Sequence, residues 1–302
     1  MATAAEPQPA VLPLPGGVKE AAIKLHPLLS GASMGPEAWI HREEGRLAKL
    51  HALGIGVSKE DMIEIPIVSF LVQHPGAGPV LIDTGLHPSC AIDLKQNFGR
   101  VGAMAFRGMK VDAKGTARDQ LIARGIEPRD VKLVVMTHLH VDHASAMSEF
   151  PNATFVFSKR EWEAATEPRN WQHGYHTRQF DHGFDYRTLD FEDADSDSYA
   201  TFGRSFDVLG DGSIRAVYTP GHTHGHMSVV LRLHAAREAL VAGDAIYTRH
   251  ALETEHLPFR IEDVHFYRRS LKEIQLYVQT KPDALVIPGH DIAEWRKLRE
   301  EY

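Results

Sequence analysis

The stretch Thr137-His138-Leu139-His140-Val141-Asp142-His143 gathers four side chains that ligate metals. It follows an apolar, mostly β-branched run (Val131, Leu133, Val134, Val135, Met136) that reads as a buried strand. The ligands therefore fall on the loop at a strand end, where α/β proteins place functional residues. In an extended segment His138 and His140 project to the same side. Asp142 and His143 lie where the chain is expected to turn into a helix over Ala144–Phe150, and they fan to the other side of a shared centre. That geometry suits two adjacent cations better than one. A lone histidine is usually a surface or satisfied core residue, and the chain holds 19 of them. The weight of the motif therefore depends on what else converges on it.

A second histidine cluster, Thr219-Pro220-Gly221-His222-Thr223-His224-Gly225-His226, follows an expected strand at Ile214–Tyr218. Gly221 and Gly225 allow the close backbone approach that a loop touching a metal centre needs. Asp244 and His290 each end an apolar strand. The candidate metal ligands are His138, His140, Asp142, His143, His222, Asp244 and His290, although spacing alone does not choose among His222, His224 and His226. Imidazoles and carboxylates without a thiolate suit zinc first, with manganese, iron or cobalt also compatible. A carboxylate shared between two cations would hold them ~3.5–4 Å apart.

The elements that must position these loops read as two similar halves. Ile23–Leu29 reads as a first strand, and residues 30–61 as mixed, with a helical patch over Glu43–Leu53. Ile63–Val72 and Pro79–Ile82, separated by His74-Pro75-Gly76-Ala77-Gly78, form a hairpin signal that ends in Asp83-Thr84-Gly85. Thr116–Arg124 has helical spacing with Gly125 as its C-cap. In the second half, Ser228–Leu233 and Ala239–Val241 form another hairpin, ending in Gly243-Asp244. An amphipathic helix follows over Glu262–Thr280. The strand Ala284–Ile287 then runs into Pro288-Gly289-His290. Two β-rich halves, each carrying helices, predict two sheets packed face to face with helices outside. Between them, residues 158–205 open with a short helix at 158–165. They continue through an aromatic and histidine-rich stretch from Trp171 to Tyr186, then an acidic run over Asp190–Asp197. They read as a cap-like insertion over a pocket.

At 302 residues, with 43% hydrophobic and 24% charged residues, the composition is that of a globular domain with ample core. A net charge of −7 without a basic stripe argues against a nucleic-acid partner. The single cysteine, Cys90, excludes an internal disulfide and cysteine-based zinc sites, and it fits a reducing compartment. The first residues are rich in Ala and Pro and read as a flexible arm over 1–22, not a secretory signal. No apolar run approaches the roughly 20 residues that cross a bilayer. The expectation is a soluble, cytoplasmic protein with one catalytic domain over 23–302.

His138-Leu139-His140-Val141-Asp142-His143 resembles the H-x-H-x-D-H signature of the metallo-β-lactamase superfamily. Ile82-Asp83-Thr84-Gly85, Pro220-Gly221-His222-Thr223, Gly243-Asp244 and Pro288-Gly289-His290 are similar to its other blocks, in the same order. The resemblance spans roughly residues 63–291 and implies an α/β (α+β) fold, a four-layer αββα sandwich with the site at the sheet edges. It implies that His138, His140 and His222 hold one cation, that Asp142, His143 and His290 hold the other, and that Asp244 bridges them. Asp83 would orient a ligand or its loop. Within the superfamily the chain most resembles the N-acyl-homoserine lactone lactonases. Asp244-Ala245-Ile246-Tyr247 matches their aspartate with a tyrosine three residues on, and Ile65-Pro66-Ile67 leads into Asp83 as theirs does. With 12 residues after His290, the resemblance is not to relatives that carry a C-terminal helical domain. Val141 stands where many lactonases carry an aromatic, and His224 where the motif usually has proline.

The resemblance implies hydrolysis of a homoserine lactone ring at a dinuclear, zinc-type centre. Tyr247 would stabilise the oxyanion, and Asp142 would carry the proton from the attacking water to the leaving alkoxide. Related hydrolases of other lactones, organophosphate triesters, esters or thioesters share such a centre and differ in the pocket. The partner is then a small molecule rather than a membrane or nucleic acid, and dimers are common among similar lactonases.

Overall fold

Strands with apolar residues at consecutive positions must be covered on both faces, and the computed structural model, which describes residues 5–106, 108–112 and 114–302, covers them. The first sheet contains β1 (Gln8–Pro9), β2 (Lys24–Pro36), β3 (Met62–His74), β4 (Gly78–Ile82), β5 (Leu133–Val135), β6 (Thr154–Ser158) and β7 (Asp185–Leu189), in the order β1-β7-β6-β5-β4-β3-β2. The second contains β8 (Asp197–Tyr199), β9 (Phe202–Asp207), β10 (Ile214–Tyr218), β11 (Met227–Arg232), β12 (Glu238–Gly243) and β13 (Leu285–Pro288), in the order β13-β12-β11-β10-β9-β8.

Alternation along each strand decides which layer a side chain joins. Val80 and Ile82 of β4 face the core between the sheets, where they share a cluster with Val229 and Leu231 of β11 and Val241 of β12. Leu81, between them, faces outward with Leu121, Phe155 and Tyr186. In the same way Val230 of β11 faces outward, against Leu271, Ile274 and Tyr277. The helices are α1 (Glu37–Ile40), α2 (Ala48–Ala52), α3 (Leu94–Ala105), α4 (Ala117–Ala123), α5 (Lys159–Thr166), α6 (Arg249–Thr254), α7 (Val264–Thr280) and α8 (Ile292–Trp295). Four layers result, α4 and α5 covering the first sheet and α6 and α7 the second. This is the αββα sandwich that the sequence implied. Among the described residues no helix is long and apolar enough to cross a membrane.

Several expectations change. The arm over 1–22 is not loose from residue 5 onward. Its β1 pairs in parallel with β7, Leu14 donates its N–H to the Val208 carbonyl (2.9 Å), and Leu12 and Leu14 pack on the inter-sheet core. Pro7, Pro9, Pro13 and Pro15 restrict the unfolded chain, so few contacts suffice to hold it down. The helical patch at 43–53 shrinks to α2, while β2 runs on to Pro36. The helix expected over Ala144–Phe150 is a turn closed by Ala144 N–H on the His140 carbonyl, followed by a single 3₁₀ turn at Met147–Glu149. Residues 158–205 are not one insertion: α5 and β7 belong to the first sheet's layers, and β8 and β9 to the second sheet. Much of the aromatic density there is core, since Tyr175, Phe180 and Tyr186 are buried with α4 and β6. What lies over the motif is the shorter segment 167–184.

Deleting residues 1–15 should cost about 2 kcal/mol of lost apolar burial, seen as a melting point lower by ~3 °C for a chain of this size. An unchanged melting curve would show that the arm contributes nothing.

Candidate metal centre

β4, β5, β10, β12 and β13 all end at one edge of the sandwich, and the residue groups named from the sequence sit on the loops that follow them. Asp83, just after β4, adopts a left-handed conformation (φ +56°) that turns its carboxylate back beneath the motif. It accepts from the Thr137 N–H (2.7 Å), the Thr137 hydroxyl (2.8 Å) and His143 Nδ1 (2.8 Å). Thr137 Oγ1 lies 3.1 Å from His138 Nδ1, and His290 Nδ1 donates to the Pro66 carbonyl (3.0 Å). His222 Nδ1 lies 3.4 Å from the Arg260 carbonyl and 3.3 Å from Tyr247 Oη. Each of these outward contacts places an acceptor at Nδ1 and turns Nε2 toward the centre. His140 is reversed, with Nδ1 turned inward to within 2.9 Å of His222 Nε2.

All seven candidate ligands are brought together. The ligand atoms of His138, His140 and His222 lie within 4.8 Å of one another, as do those of Asp142, His143 and His290. Asp244 stands between the trios: Oδ2 is 3.2 Å from both His222 Nε2 and His290 Nε2, and Oδ1 is 3.3 Å from His143 Nε2. Among the described residues, His138 Nε2, His143 Nε2 and Asp244 Oδ1 are buried without a hydrogen-bond partner. Leaving such atoms unpaired is costly, and a cation is the group that would satisfy them together.

Electrostatics agree. Burial, then the neighbouring imidazoles, hold His138 and His140 well below the ordinary histidine range, and burial takes His222 to about 4. Burial alone would lower His143 too, but Asp83, Asp142 and Asp244 lift it well above. Burial works against an ionised Asp244, yet His290, His222 and His143 hold its carboxyl well below the usual range. The His138, His140 and His222 imidazoles are therefore neutral, while protons on His143 and His290, whose pKa the carboxylates also raise, balance the buried carboxylates and would be released as a cation takes their place.

The structure separates His222 from its neighbours. His224 is exposed. His226 is buried and fully engaged, since Nδ1 donates to the Thr219 carbonyl (3.1 Å) and Nε2 accepts from the Asp244 N–H (3.0 Å). It holds the aspartate's backbone rather than facing the centre. Tyr247 is buried beside the site, packed on Ile40 and Ile65. Val141 packs with Ile67, Leu86 and Phe98, forming an apolar wall next to Asp142. Segment 167–184 is pinned over His140 by Val141 N–H on the Gly174 carbonyl (3.1 Å) and by Gln179 Nε2 on the Val141 carbonyl (3.1 Å).

One supporting residue escaped the sequence. Glu161, on α5, is fully buried and accepts from the Leu139 N–H (2.9 Å) and the Thr223 hydroxyl (2.6 Å), so one carboxyl ties both histidine loops together. A Cβ on Gly225 would come within 2.0 Å of the Glu161 nitrogen, which is why that loop needs glycine there. Nothing in a glutamate between Arg160 and Trp162 announces this role, which exists only once the loops are folded.

The family model of the metallo-beta-lactamase superfamily matches residues 63–290. The N-acyl homoserine lactonase AttM of Rhizobium radiobacter is 34% identical over 252 residues, covering 83% of this chain and 92% of that protein. The N-acyl homoserine lactonase AiiA of Bacillus thuringiensis subsp. kurstaki is 26% identical over 242 residues, covering 79% of this chain and 86% of its own. A solved structure of an N-acyl homoserine lactone hydrolase, with N-hexanoyl-L-homoserine bound at its catalytic metal centre, superposes with a TM-score of 0.71. It is 22% identical and covers 94% of this chain and 97% of its own.

Burial lifts Glu161 to about 7, outweighing its hydrogen bonds from Thr223 and Leu139. A carboxyl raised above its unfolded value binds more protons folded than unfolded, so its stability contribution is full below about 4.5 and declines as pH rises through about 7. The span corresponds to on the order of 3 kcal/mol. Glu161→Gln should abolish that slope, and denaturant titrations at pH 5 and pH 8 check it. Parallel pH profiles for wild type and variant would refute the assignment.

Proposed function

We propose that this chain, which belongs to the metallo-beta-lactamase superfamily, is a dinuclear-metal hydrolase that opens the lactone ring of N-acyl homoserine lactones. The observation that carries the reading is the approach of His140 Nδ1 to His222 Nε2 at 2.9 Å, with unpaired His138 Nε2 and Asp244 Oδ1 alongside. Both nitrogens point into the same buried space, where one cation would engage the two rings together. The substrate class is supported by the 34% identity to a homoserine lactonase along most of both chains.

In this reading His138, His140 and His222 would hold one cation and Asp142, His143 and His290 the second, with Asp244 placed between the two sets. Imidazole and carboxylate donors suit zinc, and manganese, iron or cobalt would be accepted by the same set. When bound, the two cations supply Lewis acidity, acidifying a water and polarising the substrate carbonyl.

The chain's own residues do the rest. Burial, then Asp244, keep the Tyr247 phenol protonated far above neutral pH, so it is a hydrogen-bond donor throughout. Because His222 Nδ1 carries its proton outward, Tyr247 Oη need not donate to it and can turn its own proton toward the carbonyl oxygen as charge develops there. Asp142 is the most accessible of the three site carboxylates, with 12% of its side chain exposed against 3% for Asp83 and 4% for Asp244. Its Oδ2 stays 3.8–3.9 Å from His290 and His143, so an oxygen remains to receive a proton. The balance is that of hydrolysis: hydroxyl joins the carbonyl carbon, the ring C–O bond breaks, and Asp142 returns the proton to the departing alkoxide. The product is the open N-acyl homoserine, one acid per turnover.

Proton release from N-acyl homoserine lactones of several chain lengths, with a phosphotriester in parallel, tests the substrate. Phosphotriester cleavage without turnover of any lactone would overturn the reading. Asp244→Asn should lose metal. Tyr247→Phe should keep its metal and lose ~10²–10³-fold in kcat, and a silent Tyr247→Phe would remove it from the mechanism.

A further inference from the structure

Outside the centre, three histidines far apart in sequence meet at one place. His41 follows α1, His250 lies in the first turn of α6, and His256 follows the end of α6. The left-handed Glu255 (φ +59°) terminates α6 and returns the chain, bringing His256 back beside His250. Ring centroids stand 5.1 Å apart for His41 and His250, 5.2 Å for His41 and His256, and 6.1 Å for His250 and His256. One nitrogen from each ring lies within 4.8 Å of the other two. From this geometry we propose that His41, His250 and His256 form a separate site for one divalent transition-metal cation of the zinc class.

The orientation of the rings favours a cation over a chance cluster. His256 Nε2 donates to the Arg42 carbonyl (3.3 Å), which leaves Nδ1 with its lone pair free. That is the arrangement by which protein carbonyls usually fix a ligating imidazole. His41 Nδ1 is buried without a hydrogen-bond partner among the described residues. Burial, then His256 and His250, lower the His41 pKa, so this ring is neutral and able to ligate at neutral pH, while Glu37 and Asp291 oppose that shift and lend negative field. Three imidazoles without a carboxylate among them suit zinc, nickel or copper and not the oxygen-seeking calcium or magnesium. Solvent would complete a four-coordinate shell.

The place gives the site its consequence. The backbone joins the same two segments, with Arg42 N–H on the Leu257 carbonyl (2.8 Å) and Phe259 N–H on the Trp39 carbonyl (3.0 Å). Between the histidine trio and the centre lie Trp39 and Ile40, which pack in one cluster with Tyr247. A cation here would clamp α1 to α6 and stiffen the wall against which Tyr247 rests.

His250 is exposed on a helix, where alanine is well tolerated, so His250→Ala isolates the site without touching the centre. After equilibration at micromolar free zinc and removal of unbound metal, the wild type should retain one more zinc per chain than His250→Ala. That difference reads the trio whatever the loading of the main centre. In cobalt-substituted protein, His250→Cys should add a thiolate-to-cobalt charge-transfer band that wild type, with Cys90 buried elsewhere, does not show. Equal zinc content in wild type and His250→Ala, or a His250→Cys variant without the new band, would overturn the proposal.

Discussion

Everything at the catalytic edge depends on one electrostatic demand: a dry space must hold imidazole lone pairs and a carboxylate pointing at one another. Without a cation, protons on His143 and His290 must balance the carboxylates, and the protein fixes each ring from behind. The outward nitrogens of His143, His222 and His290 meet an acceptor supplied by another segment, and that of His138 meets the hydroxyl of Thr137 beside it. Asp83 does most of this work, because its carboxylate anchors both the loop (through Thr137) and a ligand (through His143). The left-handed backbone at Asp83 is strained for a residue with a Cβ, and three strong hydrogen bonds offset that strain. The rigid edge of two packed sheets supplies the counterforce.

How far the sequence foretold this depends on whether a feature is local. The ligands of the opening motif lie within six residues and after a strand, so their convergence follows from period-two geometry. The four layers were legible because apolar runs covered on both faces have few solutions. The supports were not. Glu161 is an ordinary helical glutamate until Leu139 and Thr223 are folded against it. His226 looked like another ligand by spacing, and only its hydrogen bonds to Thr219 and Asp244 reveal that it faces away.

The misreadings share a cause as well. Aromatic and acidic residues between 158 and 205 look like a surface insertion when composition is weighed, yet Tyr186 and Phe202 alternate with polar neighbours as edge-region strands do. The proline-rich arm misled in the same way, since prolines that forbid helix also pre-extend the chain for lying along a sheet. His41, His250 and His256 show the limit from the other side, because more than 200 positions separate the first from the second.

The short β1 carries a consequence for how the molecule behaves in a crowd. Without it, β7 would be the open margin of the first sheet, a row of unpaired peptide groups ready to template a neighbour's strand. β1 covers that margin with two residues and then offers little of its own, because Pro9 has no N–H to give a further strand. The ladder ends by stereochemistry instead of by charge. A chain of modest net charge thereby gains protection from edge-to-edge association that its surface composition alone would not provide.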